Sequence, residues 1–311
     1  MNKANSGISY VEVPEDRAGQ RLDNFLMARL KGVPRSVIYR IIRTGQVRIN
    51  GGRAKPATKL EVGDKVRLPP ATIKEGGDAD IPPKVLQLLT QSICYEDQDL
   101  MVVNKPAGMA VHAGSGLSWG VVDVIRQLRP GRSVDLVHRL DRETSGCLLV
   151  ALSGDALREL NHQVAGQTMD KRYFCLLDGH LSEAVVDVHA PIGKIERGGE
   201  RYMQVDPEGK AAHTTFRLIQ NYGPCSFVEA QLHTGRTHQI RVHAQHLGMS
   251  LIGDKRYSTR PRLKHWKKLG AKRLFLHAHQ LSFQSLNGDD QFVNSQLPED
   301  LKLFMDGLIG V

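Results

Sequence analysis

The sequence predicts an α+β protein of two unequal domains, and three observations carry that prediction. Segments with a strand-like period of two are mixed with segments of helical period, and no regular strand–helix repeat links them, which argues against a doubly wound sheet. At 311 residues the chain is long enough for about two domains. The charge is also unevenly divided. Residues 1–70 carry fourteen Lys or Arg against six Asp or Glu, a net of +8, while the whole chain carries +9.

In chain order, residues 1–15 read as extended, with Ile8, Tyr10, Val11 and Val13 loosely alternating. A helix is predicted from about Gln20, where Leu22, Phe25, Leu26 and Leu30 form one face, ended by Gly32 and Pro34. A second helix spans 35–44. Val37, Ile38, Ile41 and Ile42 face inward, leaving Arg35, Arg40 and Arg43 for solvent or an anionic ligand. Strands follow at 46–50, closed by the Asn50-Gly51 turn, and at 65–68. The expected small domain is 17–70. Gly76-Gly77 and Pro82-Pro83 mark a linker over 71–90, with a short helix at 84–91. The larger domain, 91–311, opens with a strand pair over 93–106. Further strands are expected at 147–152, 172–177, 185–188, 212–219, 225–232 and 274–283. Helices are expected at 121–128, after the cap Ser153, from the cap Thr237 to Gly248, and after Pro298.

Composition excludes several classes. Four cysteines without a CxxC pair fit neither a disulfide scaffold nor a thiolate zinc knuckle, and Cys94, Cys147, Cys175 and Cys225 all read as small core residues. No apolar run is long enough for a membrane span, and the first residues show no secretory h-region, so a reducing, cytoplasmic setting is expected. There is no HExxH, no GxGxxG after a strand and no GxxxxGK[ST]. The glycine-rich 112–120 stretch lacks the required Lys, so neither a metal nor a nucleotide cofactor is expected. A second basic cluster, nine side chains between Lys255 and Arg273 with no acidic one, joins the N-terminal surplus in favouring a polyanionic partner.

The densest polar segment is HRLDRETSG, 138–146, where Asp141 stands between Arg139 and Arg142 just before an apolar strand. An ionised carboxylate held by cations on an anchored loop suits a nucleophile or general base; a surface salt-bridge loop is the plain alternative. HTGRTHQIRVH, 233–243, sets Arg236 at the mouth of a helix, free to meet either a carboxylate or a phosphate.

Five segments in order, NKPAG (104–108), HRLDRETSG (138–146), KRYFCLL (171–177), GRTHQIRVH (235–243) and LFLHA (274–278), resemble the bacterial ribosomal RNA pseudouridine synthases. The likeness is nearest to the branch acting on large-subunit ribosomal RNA. AGQRLDNFL (18–26) and RSVIYRIIRTGQVRING (35–51) resemble the small S4-type RNA-binding domain. The resemblance implies a pseudouridine synthase-like catalytic domain on a long, mixed, largely antiparallel sheet, preceded by an S4-like α/β domain. It implies isomerisation of uridine to 5-ribosyluracil without cofactor or metal. Asp141 would be the catalytic carboxylate, Tyr173 the residue stacked on the target base, and Arg236 the partner of the aspartate. Arg139 would displace the base, and Leu276 would pack on it. The partner would be ribosomal RNA, with no membrane and no obligate protein partner, and the simplest state is a monomer. The same enzyme acting on transfer RNA or another RNA, an N-glycosidase that stops after cleavage, and a non-catalytic RNA-binding assembly factor are the alternatives. Three segments depart from the family pattern without touching these motifs: ALSGDALREL (151–160), AAHT (211–214) and SLNGDDQ (285–291).

Overall fold

The computed structural model describes residues 8–30, 33, 35–69, 81–113, 118–197 and 199–308. Contacts divide the chain into two compact units, Met1–Asp80 and Ile81–Val311. Most of the expected linker, including Gly76-Gly77, lies outside the described residues, as do Gly32, Pro34 and the middle of the 112–120 stretch.

The first unit contains β1 (Ser9–Glu12), α1 (Leu22–Arg29), α2 (Arg35–Arg43), β2 (Arg48–Ile49), β3 (Gly52–Arg53) and β4 (Lys65–Leu68). Its strands pair in the order β1-β4-β2-β3. The two helices bury Leu22, Phe25, Leu26, Ile38, Ile41 and Ile42 against Val47, Leu60 and Val66. This is the apolar stripe anticipated from helical spacing. Asp23, fully buried, accepts hydrogen bonds from Arg21 and from the Tyr39 hydroxyl at 2.8 Å, tying one helix to the other. The opposite face of α2 leaves Arg40 and Arg43 exposed. The Arg35 side chain lies outside the described residues.

The second unit is built on a mixed sheet. In chain order its elements are α3 (Pro83–Gln91), β5 (Ile93–Glu96), β6 (Leu100–Lys105), α4 (Val121–Leu128), β7 (Asp135–Leu136), β8 (Ser145–Ala151) and α5 (Gly154–Gly166). There follow β9 (Asp170–Leu177), β10 (Val185–His189), β11 (Ile192–Arg197), β12 (Glu200–Val205), β13 (His213–Tyr222) and β14 (Cys225–Leu232). The chain closes with α6 (Gln239–His246), α7 (Arg260–Lys268), β15 (Leu276–Gln284), β16 (Asp290–Asn294) and α8 (Glu299–Asp306). Among the described residues the large sheet has ten strands, eight of them in the order β10-β13-β14-β9-β15-β8-β6-β5, with β16 on β15 and β7 on β8. Every pairing is antiparallel except β15 with β8.

β6 and β8 are buried on both faces, which is why LMVV and CLLVA read as continuous apolar runs. Alternate residues Leu100, Val102, Cys147 and Leu149 pack with Ala156 and Leu160 of α5 and with Leu281 and Phe283 of β15. The expected Ser153 cap is present, its side chain accepting from Ala156 N. A second cluster gathers Trp266, Phe275, Ile252, Leu301 and Phe304.

Some expectations need correction. Cys94 is exposed, because it is an outward position of β5, whereas Cys147, Cys175 and Cys225 are buried as expected. The cap of α6 is His238, not Thr237. It takes φ 58° and makes no side-chain cap bond, so the turn before the helix is set by tertiary contacts rather than by a hydroxyl. The β11–β12 hairpin, α7 and β16 were not anticipated. In α7 only Trp266 is buried and basic residues fill the other positions, so no apolar stripe marks it.

His277 of β15 is fully buried, between the Ser145 hydroxyl at its Nδ1 and the Ser295 carbonyl at its Nε2. Burial pulls its pKa down to about 4, with Arg273 adding to the shift and the Ser295 carbonyl opposing it. The fold therefore keeps His277 neutral while the unfolded chain takes up a proton near pH 6.5. Its contribution is complete above that pH and is lost as pH falls toward 4, on the order of 3 kcal/mol. Urea unfolding between pH 7 and pH 4 is expected to show a shallower stability loss for His277→Gln than for the unaltered protein; parallel profiles would refute this.

Candidate active site

Asp141 lies on the loop between β7 and β8, and neighbouring segments fix that loop. Lys105, fully buried at the end of β6, donates to three carbonyls: Pro106 and Met109 at 2.9 Å and Arg142 at 3.1 Å. Burial pulls its pKa down to about 7, against the opposing pull of Asp141 and Glu143. The Gly108 N–H also donates to the Arg142 carbonyl at 2.8 Å, and Arg142 Nε returns a bond to the Gly108 carbonyl. The NKPAG turn is thus a buttress for the residue following Asp141. Gly146 closes the loop with φ +111°, and a Cβ there would collide with the Ala278 backbone. Only glycine lets β8 approach β15 in parallel at this point. Ala278 is the register partner of both Gly146 and Tyr173, so the HRLD loop, LHA and KRY meet across three adjacent strands.

A narrow cavity of about 60 Å³ lies among Arg139, Asp141, Tyr173, Arg236, Arg241 and Leu276. Every site residue expected in the larger unit is therefore at one place. Beside it opens a cleft of about 580 Å³ that shares Arg139, Asp141, His238 and Arg241 and extends to Lys255 and Arg256. Leu276 and Tyr173 are buried, and Arg139 and Arg236 stand exposed at the rim. Burial, reinforced by the charge of Asp141, pushes the Tyr173 phenol far above its usual range, so it stays protonated at any physiological pH.

The expected pairing of Arg236 with Asp141 is not what the structure shows. Arg241, one turn into α6, holds Asp141 at 2.9 Å, while Arg236 Nε donates to the Ala211 carbonyl at 3.0 Å. Gln239 fixes the Arg236 loop. Its Oε1 accepts from Arg236 N and the Thr234 hydroxyl, and its Nε2 donates to the His213 carbonyl and Thr214 Oγ1. Arg241 sits between two carboxylates, with Nε and Nη2 on both oxygens of Asp254 at 2.7 and 2.8 Å and Nη1 on Asp141. Burial alone would weaken its charge, but the Asp254 bonds and both carboxylates outweigh it and its pKa is raised. Asp254, 1% exposed, also accepts from the N–H groups of Arg256 and Tyr257. The Arg241 guanidinium lies over the Tyr257 ring, 5.0 Å from its centroid. The Tyr257 hydroxyl and His238 Nδ1 share a hydrogen bond of 2.7 Å, and His238 Nε2 faces Asp141 at 3.6 Å. Burial, with Arg241 and Arg256, lowers the His238 pKa against Asp141, favouring the neutral ring.

In the sequence, Arg241 and His238 were carried only within the HTGRTHQIRVH segment and Lys105 only within NKPAG, none of them with a role, and Asp254 and Tyr257 were missed. The helical offset of Arg241 from His238 was the available signal. Nothing local marks Asp254, thirteen residues away in a turn. In the first unit, Arg40 and Arg43 line a groove of about 600 Å³ with Arg53 and Lys55, two cations the sequence reading passed over.

Among the described residues, one group could hold a metal ion: Asp187, His189 and His213, on β10 and β13. Its aspartate already accepts from the Thr215 hydroxyl and meets His213 at 3.1 Å, and it shares no residue with the Asp141 cavity. No described helix is long and apolar enough to cross a membrane.

Two family models match the chain: RNA pseudouridylate synthase over residues 99–246 and the S4 domain over residues 20–66. Among solved structures, human RNA pseudouridylate synthase domain containing 4 has a TM-score of 0.61 at 25% identity, covering 72% of this chain and 95% of that one. Human RNA pseudouridylate synthase domain containing 1 has a TM-score of 0.59 at 28% identity, covering 70% and 87%. The fold is thus that of an RNA pseudouridine synthase with an S4 domain before it. Over nearly its whole length the chain is similar to proteins called ribosomal large subunit pseudouridine synthase C. That of Haemophilus influenzae is 43% identical, covering 98% of this chain and 96% of the relative; that of Escherichia coli K12 is 44% identical, covering 97% of each. The chain belongs to the ribosomal large subunit pseudouridine synthase C family.

Removing one partner of the buried Arg241 pair leaves part of a buried charge uncompensated, a loss of about 3–5 kcal/mol. Asp254→Ala is expected to lower unfolding stability on that scale in urea. Asp141→Ala, at a carboxylate 27% exposed, is expected to lower it by less. Equal losses would show that the burial difference is unimportant.

Proposed function

We propose that the protein isomerises specific uridines of large-subunit ribosomal RNA to pseudouridine, with Asp141 as the catalytic residue. The observation that carries the reading is a carboxylate paired with a guanidinium at 2.9 Å, where a narrow cavity with one apolar and one charged wall meets an open, basic cleft. The full-length similarity to enzymes named for this activity supports the choice of RNA.

The reaction exchanges one bond for another. The N1–C1′ bond of uridine breaks, uracil turns while still enclosed, C5 bonds to C1′, and the C5 proton is lost while N1 gains one. A base stacked in RNA cannot enter a cavity this narrow, so the nucleotide must swing out and the rim must open. Arg139 and Arg236 are the exposed cations at that rim, and we assign them to gripping the displaced nucleotide and filling its place. Asp141, held by Arg241, acts at the ribose, at C1′ or at the 2′ proton; either route uses the ionised carboxylate. Tyr173 and Leu276 enclose the loosened uracil. Because the phenol stays protonated, Tyr173 handles protons as a neutral donor or through water, not as a phenolate base. Arg241, His238, Tyr257 and Asp254 act through Asp141 and are positioning residues. No step calls for a metal, a cofactor or an energy source. In the N-terminal unit Arg40, Arg43 and Arg35 are assigned to the RNA backbone.

Comparing pseudouridine maps of ribosomal RNA from cells with and without the gene tests the substrate. Site-specific loss of signal, restored by the unaltered protein and not by Asp141→Asn, is the expected result. Free uracil in place of pseudouridine would instead indicate an N-glycosidase. Tyr173→Phe is expected to keep RNA affinity while losing at least about 100-fold in kcat; unchanged kcat would remove the hydroxyl from the mechanism.

A further inference from the structure

The nine-residue basic cluster near the C-terminus has no place in the chemistry at Asp141, and the structure sorts its members. Arg262 is paired with Asp178, and Arg273 with Asp300 at 2.6 Å. The Arg256 guanidinium lies over the Tyr202 ring, 4.4 Å from its centroid. These three fasten the segment to the catalytic unit. Lys255, Lys264, Lys267 and Lys272 are exposed and, among the described residues, none has a carboxylate partner.

Those four lysines line one cavity of about 590 Å³ with Trp266 and Gly253. The pocket is within the usual range for a small-molecule or nucleotide-sized ligand. It adjoins the Asp141 cleft, because Gly253 and Lys255 line both. Gly253 is required at that junction: its φ is +79°, and a Cβ would collide with the Arg273 carbonyl. Trp266 is 1% exposed, and its indole N–H is buried without an acceptor among the described residues. A buried donor left unpaired is costly. Trp266 borders the pocket, and the four lysines ring it with positive charge, an arrangement that suits an anionic ligand.

We propose that this pocket binds successive backbone phosphates of the RNA strand flanking the target uridine, as the strand leaves the Asp141 cleft past Gly253 and Lys255. The inference rests on the isomerase reading for the identity of the RNA. Lysines, as flexible point charges, suit phosphate contact without base preference, so the pocket adds grip and register, not sequence reading.

The test compares Lys264→Gln/Lys267→Gln/Lys272→Gln with a control that removes equal charge elsewhere, Lys84→Gln/Arg158→Gln/Lys302→Gln. Both are titrated with a large-subunit ribosomal RNA fragment from 50 to 300 mM salt, and KM and kcat are measured on the same RNA. The pocket variant is expected to bind at least 10-fold more weakly at 150 mM salt. The slope of log affinity against log salt should fall by about two, as for loss of three phosphate contacts, with KM raised and kcat unchanged. The control should retain the original slope within about half a unit. Equal losses in both variants would assign the effect to net charge, and an unchanged slope in the pocket variant would show that RNA does not reach the pocket; either overturns the proposal. Absence of pseudouridine formation by the unaltered protein would overturn the isomerase reading instead, and the binding comparison would still decide the pocket.

Discussion

The site depends on one buried guanidinium. Arg241 enters between two β-sheet loops from the first turns of α6 and is divided between Asp254, which takes two of its donors, and Asp141, which takes one. The division is unequal for a physical reason. Asp254 is sealed from water and receives two further backbone N–H groups, so it serves as the anchor. Asp141 has a single direct guanidinium bond and an exposed side, so it is held yet reachable. A cation satisfied on one flank and offered on the other orients a reactive carboxylate. His238, in contact with Tyr257, approaches the same carboxylate oxygen, Oδ2, that Arg241 holds.

Long-range sheet pairing delivers the remaining groups. The parallel contact of β15 with β8 puts Leu276 beside the Asp141 loop, and the antiparallel contact of β15 with β9 brings Tyr173 in at the same register. None of these segments is near another in sequence, and the backbone ladder sets their distances. The strands supply the apolar floor of the cavity, and its charged wall comes from the loop before β8 and from α6 with the loop that precedes it. The basic groups fall into two sets. Those in the core hold carboxylates, and those at the rim and on the N-terminal unit remain available to an anionic polymer.

Much of this was legible in the sequence. Continuous apolar runs gave β6 and β8, alternating ones β9, β14 and β15, and helical stripes α1, α2, α4 and α5, because burial on one or both faces writes itself into spacing. Asp141, Tyr173, Arg139 and Leu276 were located through ordered motifs, and they do meet. Arg236 was placed correctly at the cavity but assigned the wrong partner. Two arginines five residues apart on a loop and helix are equivalent in sequence, and only the turn at His238, with its positive φ, decides which one points inward. Asp254 and Lys105 stayed hidden because their importance comes from tertiary partners. The β11–β12 hairpin and α7 lack strong apolar patterning since most of their surface faces water.

The stretch from Gly253 to Leu276 leaves the catalytic sheet and returns to it, clamped at both ends: Gly253 against the Arg273 carbonyl, and Leu276 in register with Cys175. Its near end carries Asp254 and Tyr257, which hold the Asp141 site, while the exposed lysines of α7 beyond them touch none of those groups. Charge on the α7 segment can therefore change while the reactive carboxylate keeps its geometry, so that hold on the RNA and rate of chemistry are separable on one scaffold.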